Sequence, residues 1–206
     1  MGVEEISKLK LQNAGFLFKL FPHFLVIYIM YWMFNLKKQY LFSIFTYIKK
    51  QIMTTLIEGE LAPVFSGVDQ NGQPISLNDF KGKKVVLYFY PKDDTPGCTK
   101  EACSFRDNYE DLLSKGFQVI GISCDSEKAH KKFIEKYNLP FPLISDADKT
   151  IVEQYGVWGK KKFMGKEYMG IFRTTFVINE TGLLSKIITK VDVENSTQQL
   201  LKEMGV

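Results

Sequence analysis

The stretch "KKVVLYFYPKDDTPGCTKEACSFRDNYEDLLSKGFQVIGISCD", residues 83–125, sets the architecture of the chain. "KKVVLYFYP" is β-branched and aromatic almost throughout, the pattern of a strand covered on both faces. "FQVIGISCD" reads the same way. Between them, Phe105, Tyr109, Leu112 and Leu113 recur at helical spacing, and Gly116 supplies a stop. The segment is therefore strand, helix, strand, with two cysteines, Cys98 and Cys103, early in the helix.

The alternation continues on both sides. "QNGQPISL" carries Asn71-Gly72 between short apolar runs, a hairpin signal. "SEKAHKKFIEKYNL" reads as an amphipathic helix with Phe133, Ile134 and Tyr137 inward. "FPLISD" reads as a short strand and "TIVEQYGV" as a short helix. "RTTFVINETGLLSKIITK" reads as two strands joined at Asn179-Glu180-Thr181-Gly182, and "STQQLLKEMG" as a closing helix. Such alternation indicates an α/β sheet with helices on both faces.

Residues 1–52 differ in character. "AGFLFKLFPHFLVIYIMYWMFNLKKQYLFSIFTYIKK" is aromatic and apolar, but Lys19, Pro22, His23, Lys37 and Lys38 interrupt it. The uninterrupted apolar run from Phe24 to Phe34 is too short to span a bilayer. The stretch from Gly15 to Leu36 reaches spanning length only by including polar residues, so membrane contact through residues 15–36 stays open. Lysines on both flanks fix no orientation, and no A-x-A-like site marks a cleaved signal peptide. Three readings stand: a membrane anchor or interfacial segment, an unusual targeting segment, or an upstream region outside the functional protein. The last is preferred because Met53 opens a stretch of ordinary globular character. The expected division is an apolar extension over 1–52 and one domain over 53–206.

The 206-residue chain is 45% hydrophobic and 24% charged, with a formal charge of +4. That charge is weak and its lysines are interspersed with acids, as in "DSEKAHKKFIEKY", so no nucleic-acid partner is expected. Three cysteines are too few, and odd in number, for a disulfide-stapled secreted scaffold. Free thiols fit a reducing compartment, where a close pair serves catalysis or metal binding more often than structure.

Thr95 and Pro96 form a helix start, with a hydroxyl at the N-cap and proline at the first helical position. Cys98 then falls in the first turn, where unpaired N–H groups and the helix dipole favour an anionic sulfur, the reactive form. Cys103 lies five residues on, about 7.5 Å along the axis and about 140° around it. A disulfide tolerates Cα separations of up to about 7 Å, so the pair cannot bond while the helix is intact. A cycle with local unwinding suits it better than a standing bridge. Zinc ligation by Cys98, Cys103, Cys124 and His130 matches no usual ligand spacing. Cys124 reads as strand-end or core filler. Arg173 begins the otherwise apolar "RTTFVI", either as a strand-end surface residue or facing the cysteine to hold its sulfur and an oxygen-bearing substrate.

Taken together, "FYPKDDTPGCTKEACSFRD" resembles the active-site segment of peroxiredoxins, in the branch called peroxiredoxin Q or bacterioferritin comigratory protein. Pro91, Thr95 and Cys98 match its P-x-x-x-T-x-x-C motif, Cys103 its resolving cysteine, and Arg173 in "IFRTTFVI" its essential arginine. The resemblance runs from about Leu61 to the C-terminus through "GISCDSEKAHKKF", "PFPLISD" and "YGVWG". It implies a thioredoxin-like fold with a central mixed sheet flanked by helices, and reduction of hydrogen peroxide or organic hydroperoxides. Cys98 would be the peroxidatic nucleophile, with Thr95 and Arg173 orienting the peroxide and Pro91 shielding the pocket. Cys103 would close an intramolecular disulfide for thioredoxin or a similar dithiol protein to reduce. No metal, haem, flavin or other cofactor is implied. A cytoplasmic monomer is expected, the alternative being a redox sensor anchored to a membrane through the extension.

Overall fold

The computed structural model describes residues 56–163 and 165–206; the expectations for residues 1–52 lie outside the described residues. The chain enters through a hairpin of β1 (Ser66–Asp69) and β2 (Pro74–Ser76), turned by the Asp69 carboxylate, which accepts from the Asn71 and Gln73 amides. Next come β3 (Lys84–Phe89), α1 (Pro96–Asp107), α2 (Tyr109–Ser114) and β4 (Phe117–Ser123). They are followed by α3 (Glu127–Tyr137), β5 (Leu143–Ser145) and α4 (Thr150–Gln154). A second hairpin, β6 (Trp158–Phe163) and β7 (Lys166–Ile171), precedes β8 (Thr174–Ile178), β9 (Leu184–Ile188) and α5 (Ser196–Met204).

The main sheet is mixed, in the order β2-β1-β5-β4-β3-β8-β9. The interior strand β3 runs parallel to β4 and antiparallel to β8. Alternation along β3 divides the core. Val85, Leu87 and Phe89 pack with Ile120, Ile122, Phe176 and the α4 residues Ile151 and Val152. Val86, Tyr88 and Tyr90 pack with Phe105 of α1, Leu112 of α2, Phe133 of α3 and Leu200 of α5. Helices thus cover both faces. Each such large apolar side chain contributes about 1.5–3 kcal/mol of burial free energy.

Two features differ from the sequence reading. The helix expected to run unbroken to Gly116 is interrupted at Asn108, whose side-chain amide donates to the Ser104 carbonyl at 2.8 Å. That bond offers the backbone an alternative to helix continuation. The β6–β7 hairpin was not anticipated. Residues Lys166–Met169 of β7 are exposed, so the apolar-polar alternation that marks a half-buried strand is missing there.

Candidate active site

The end of β3 delivers the chain to the site. Tyr90 still belongs to the sheet, its amide donating to the Ile122 carbonyl, and Pro91 then turns outward and is exposed. Asp93 and Asp94 are then held by side chains from other elements. The Asp93 amide donates to Asp125 Oδ2 at 2.8 Å. The Asp93 carboxylate accepts from Tyr90 Oη at 2.7 Å and lies 2.8 Å from Nδ1 of the fully buried His130, whose Nε2 lies 3.1 Å from the Ile144 carbonyl. Asp94, at φ +54°, takes Lys136 Nζ and the Tyr137 hydroxyl, and these two partners, Lys136 foremost, hold its carboxyl below its ordinary pKa.

With that loop fixed, α1 begins at Pro96. Thr95 is its N-cap, as anticipated, but not through its hydroxyl. The Oγ1–H donates to the Lys92 carbonyl at 3.0 Å and no helix amide bonds to it; the Thr95 carbonyl accepts from the Thr99 amide instead. The hydroxyl thus ties the loop to itself.

Cys98 sits in the first turn of α1, 2% exposed, in the apolar layer with Tyr88, Tyr90 and Phe105. Arg173 reaches it from the turn between β7 and β8, with Nη2 donating to Cys98 Sγ at 3.2 Å. The sequence left Arg173 open between a surface position and the cysteine, and the fold brings it to the cysteine. Its other terminal nitrogen, Nη1, donates to Glu101 Oε2, one helical turn beyond Cys98. Burial works against the guanidinium charge, but Glu101 and then Cys98 outweigh it and raise the Arg173 pKa.

Glu101 escaped the sequence reading. It is fully buried, and among the described residues neither its Oε1 nor the nearby Tyr88 hydroxyl has a hydrogen-bond partner. A signal was present in the spacing. Cys98, Glu101, Ala102 and Phe105 form an i, i+3, i+4, i+7 stripe, so a carboxylate occupies a core-facing position and requires a buried cation.

Although ion-paired, Glu101 has its carboxyl pushed up from 4.5 to about 7, because burial outweighs the opposing Arg173 charge. The folded state therefore holds this proton more tightly than the unfolded chain does. The resulting stability is complete below about pH 4.5 and is lost as pH rises through about 7. The interval corresponds to about 3 kcal/mol. In urea unfolding at a series of pH values, the wild type is expected to lose stability from pH 4.5 to 8 relative to Glu101→Gln. Parallel pH dependences of the two proteins would contradict this.

Cys103 is half-buried on the same uninterrupted helix, and burial raises its thiol pKa against the opposing charge of Arg106. All three cysteines are free. Beside Cys103, α1 is tied to α5, with the Thr197 amide donating to Ser104 Oγ at 3.1 Å and Thr197 Oγ1 to the Ser104 carbonyl at 2.8 Å. Cys124 lies just past β4, half-buried against the core, and burial foremost, then Asp146, pushes its thiol up to about 11. Among the described residues no three His, Cys, Asp or Glu side chains are grouped to hold a metal ion. A buried thiol under a guanidinium, with a second thiol on the same helix, is equipped for nucleophilic attack followed by disulfide formation.

Residues 59–187 match the model of the AhpC/TSA family. The chain is 54% identical over 143 residues to a putative peroxiredoxin bcp of Coxiella burnetii, covering 69% of this chain and 95% of that protein. It is 46% identical over 150 residues to peroxiredoxin Bcp of Bacillus subtilis, covering 73% and 96%. Among solved structures, Xylella fastidiosa PrxQ superposes with a TM-score of 0.69 at 28% identity, over 74% of this chain and 97% of that one. A Xanthomonas campestris bacterioferritin comigratory protein, described in trapped intermediate and ligand complexes of alkyl peroxide reduction, matches at a TM-score of 0.64 and 32% identity, over 68% and 90%. The expected thioredoxin-like fold is thereby met, and the chain belongs to the AhpC/TSA family as a peroxiredoxin of the Bcp/PrxQ type, a thiol peroxidase.

Proposed function

We propose that Cys98 is the peroxidatic nucleophile of a thioredoxin-dependent peroxidase, a reading carried by the Arg173 guanidinium on the buried Cys98 sulfur in the first turn of α1. The Cys98 thiolate attacks one peroxide oxygen and the O–O bond breaks. The sulfur becomes a sulfenic acid, and the departing oxygen leaves, once protonated, as water or alcohol. Arg173 has donors for both the sulfur and the oxygen on which charge develops, and its contact with Glu101 fixes the plane of its fork. Thr95, whose hydroxyl proton is held by the Lys92 carbonyl, is assigned to accept from the peroxide, and Pro91 to shield the pocket. The Cys103 thiol then displaces the sulfenic oxygen as water, giving an intramolecular disulfide. Because both cysteines lie on one continuous helix, this step requires the first turns of α1 to unwind. A dithiol protein of thioredoxin type restores both thiols by exchange.

An intramolecular disulfide needs no second chain, so the working unit is a monomer, and the sparse cysteine content suits the reducing cytoplasm. The functional domain begins near Met53. Supporting this, relatives aligned over 95–96% of their own length use only 69–73% of this chain. A membrane-tethered sensor has no support from the relatives, which are named as peroxiredoxins. Among the described residues no helix is long and apolar enough to cross a membrane.

The test is the full chain with thioredoxin, thioredoxin reductase and NADPH. Addition of hydrogen peroxide or an alkyl hydroperoxide is expected to start NADPH oxidation. Insulin reduction without peroxide consumption would overturn the assignment. In the same assay Arg173→Met is expected to slow the peroxide step roughly 10²–10³-fold, the scale of losing one preorganised donor. Arg173→Lys should recover only part of that, since an ammonium cannot engage Cys98 and Glu101 with a planar fork. A loss below fivefold for Arg173→Met would remove Arg173 from the site.

A further inference from the structure

The β6–β7 hairpin forms its own two-stranded sheet, so among the described residues the outer edge of β7 is not paired with another strand. Phe172 N donates to the Val157 carbonyl at 2.7 Å. By the alternation of an antiparallel ladder, the next facing pair, Trp158 and Ile171, is then not hydrogen-bonded, and the Ile171 carbonyl points away from β6. Lys161 nevertheless reaches that carbonyl from β6, its Nζ donating to Ile171 O at 2.9 Å. To do so its stem passes over β7 at Gly170, where a Cβ would stand 3.1 Å from Tyr168 Cε2 and 3.3 Å from Lys161 Cδ. Gly159, the cross-strand partner of Gly170, makes the matching concession to Phe172: a Cβ there would come within 2.8 Å of the ring. Lys161 Nζ lies 5.6 Å from the centroid of that ring. The two glycines thus form a floor on which the lysine stem and the phenylalanine ring rest.

The residues held this way, Ile171 and Phe172, lead directly into Arg173. In the same turn Thr174 Oγ1 donates to the Phe172 carbonyl at 3.1 Å. A neutral side chain could satisfy the Ile171 carbonyl. A lysine also brings a second cation close enough to Arg173 and Cys98 to interact with both, repelled by the guanidinium and attracted by an anionic sulfur. Burial and the Arg173 charge lower the Lys161 pKa, so the ammonium is held at a cost that the Cys98 anion offsets in part.

We propose that Lys161 is a positioning residue for the peroxidase site, its ammonium fixing the Ile171 carbonyl so that the following turn presents Arg173 to the Cys98 sulfur. The inference rests on Cys98 being the peroxide-reactive thiol. The test therefore reads the sulfur in two ways, by stopped-flow oxidation with hydrogen peroxide and by alkylation with iodoacetamide, using the full chain. If the wild type fails to consume peroxide, the function assigned above fails, while alkylation still reports on Lys161.

Lys161→Met, which keeps the stem and removes the ammonium, is expected to slow both reactions about tenfold, less than the roughly 10²-fold of a fully misplaced group. Lys161→Arg should return both rates to within about threefold of the wild type, since it restores the charge and a donor. Gly170→Ala, which keeps the ammonium but crowds its stem and the exposed Tyr168 ring, should produce an intermediate loss that Tyr168→Ala alone does not reproduce. Reduction of the oxidised protein by thioredoxin should be unchanged in all three, and circular dichroism should show a folded chain. The proposal is overturned if Lys161→Met stays within twofold of the wild type in both reactions. It is overturned equally if Lys161→Arg loses as much as Lys161→Met, or if the thioredoxin step slows in parallel, which would mark a general loss of structure.

Discussion

Replacing Cys98 with serine is expected to reduce peroxide turnover to background, a fall of at least about 10⁴-fold, as when the nucleophile is removed from a covalent mechanism. Serine preserves the volume and the first-turn position, and its oxygen can still accept from Arg173. Only the attack is lost, because a hydroxyl of ordinary acidity is a poor nucleophile toward the O–O bond. The fold should be intact by circular dichroism. Turnover near the wild-type rate would mean that another thiol carries the reaction. Neither alternative is well placed: burial raises the Cys103 thiol, pushes that of Cys124 up to about 11, and no guanidinium is bonded to either sulfur.

Cys103→Ser should separate the two halves of the cycle. The protein is expected to consume about one equivalent of peroxide at the wild-type rate, accumulate a dimedone-reactive sulfenic acid, and then stop. Thioredoxin-driven turnover should fall at least about 10²-fold, because the resolving thiol acts at the high effective concentration of an intramolecular group. Cys124 cannot readily substitute, since it lies beyond β4 and holds little thiolate at neutral pH. Undiminished turnover in Cys103→Ser, measured by NADPH oxidation, would assign resolution to Cys124 or to a second chain.

The parts of the fold that were legible in the sequence are those where burial leaves a one-dimensional trace. Val85 to Tyr90 are all buried, and an unbroken apolar run announced them. Thr95-Pro96 announced the start of α1, because proline at the first helical position loses no hydrogen bond. The hairpin of β6 and β7 left no such trace: it is rich in lysine and largely exposed along β7, and its stability comes from Ile171 and Trp158 packing on a core built elsewhere in the chain. The break at Asn108 depends on one side-chain bond to the Ser104 carbonyl, which composition does not reveal.

The site divides similarly. Cys98 was marked by its place at a helix start, and Arg173 by being a cation in an apolar strand. That these two meet is a tertiary fact, set by the antiparallel pairing of β3 with β8, which brings Thr174 opposite Phe89. Glu101 was hidden because a glutamate on a helix is usually solvated, and only its phase relative to Cys98 and Phe105 distinguishes it. The Thr95 hydroxyl was misread because the local rule assigns it to the helix, whereas the loop folds so that Lys92 accepts its proton.

The mechanism as a whole turns on whether two thiols separated by intact helix become bonded. The most direct measurement is non-reducing peptide mapping by mass spectrometry after one equivalent of hydrogen peroxide, with the full chain kept dilute. The account predicts one linkage, Cys98 to Cys103 within a single chain, with Cys124 recovered as a free thiol. A Cys98–Cys124 linkage, or Cys98 joined to a cysteine of another chain, would contradict it.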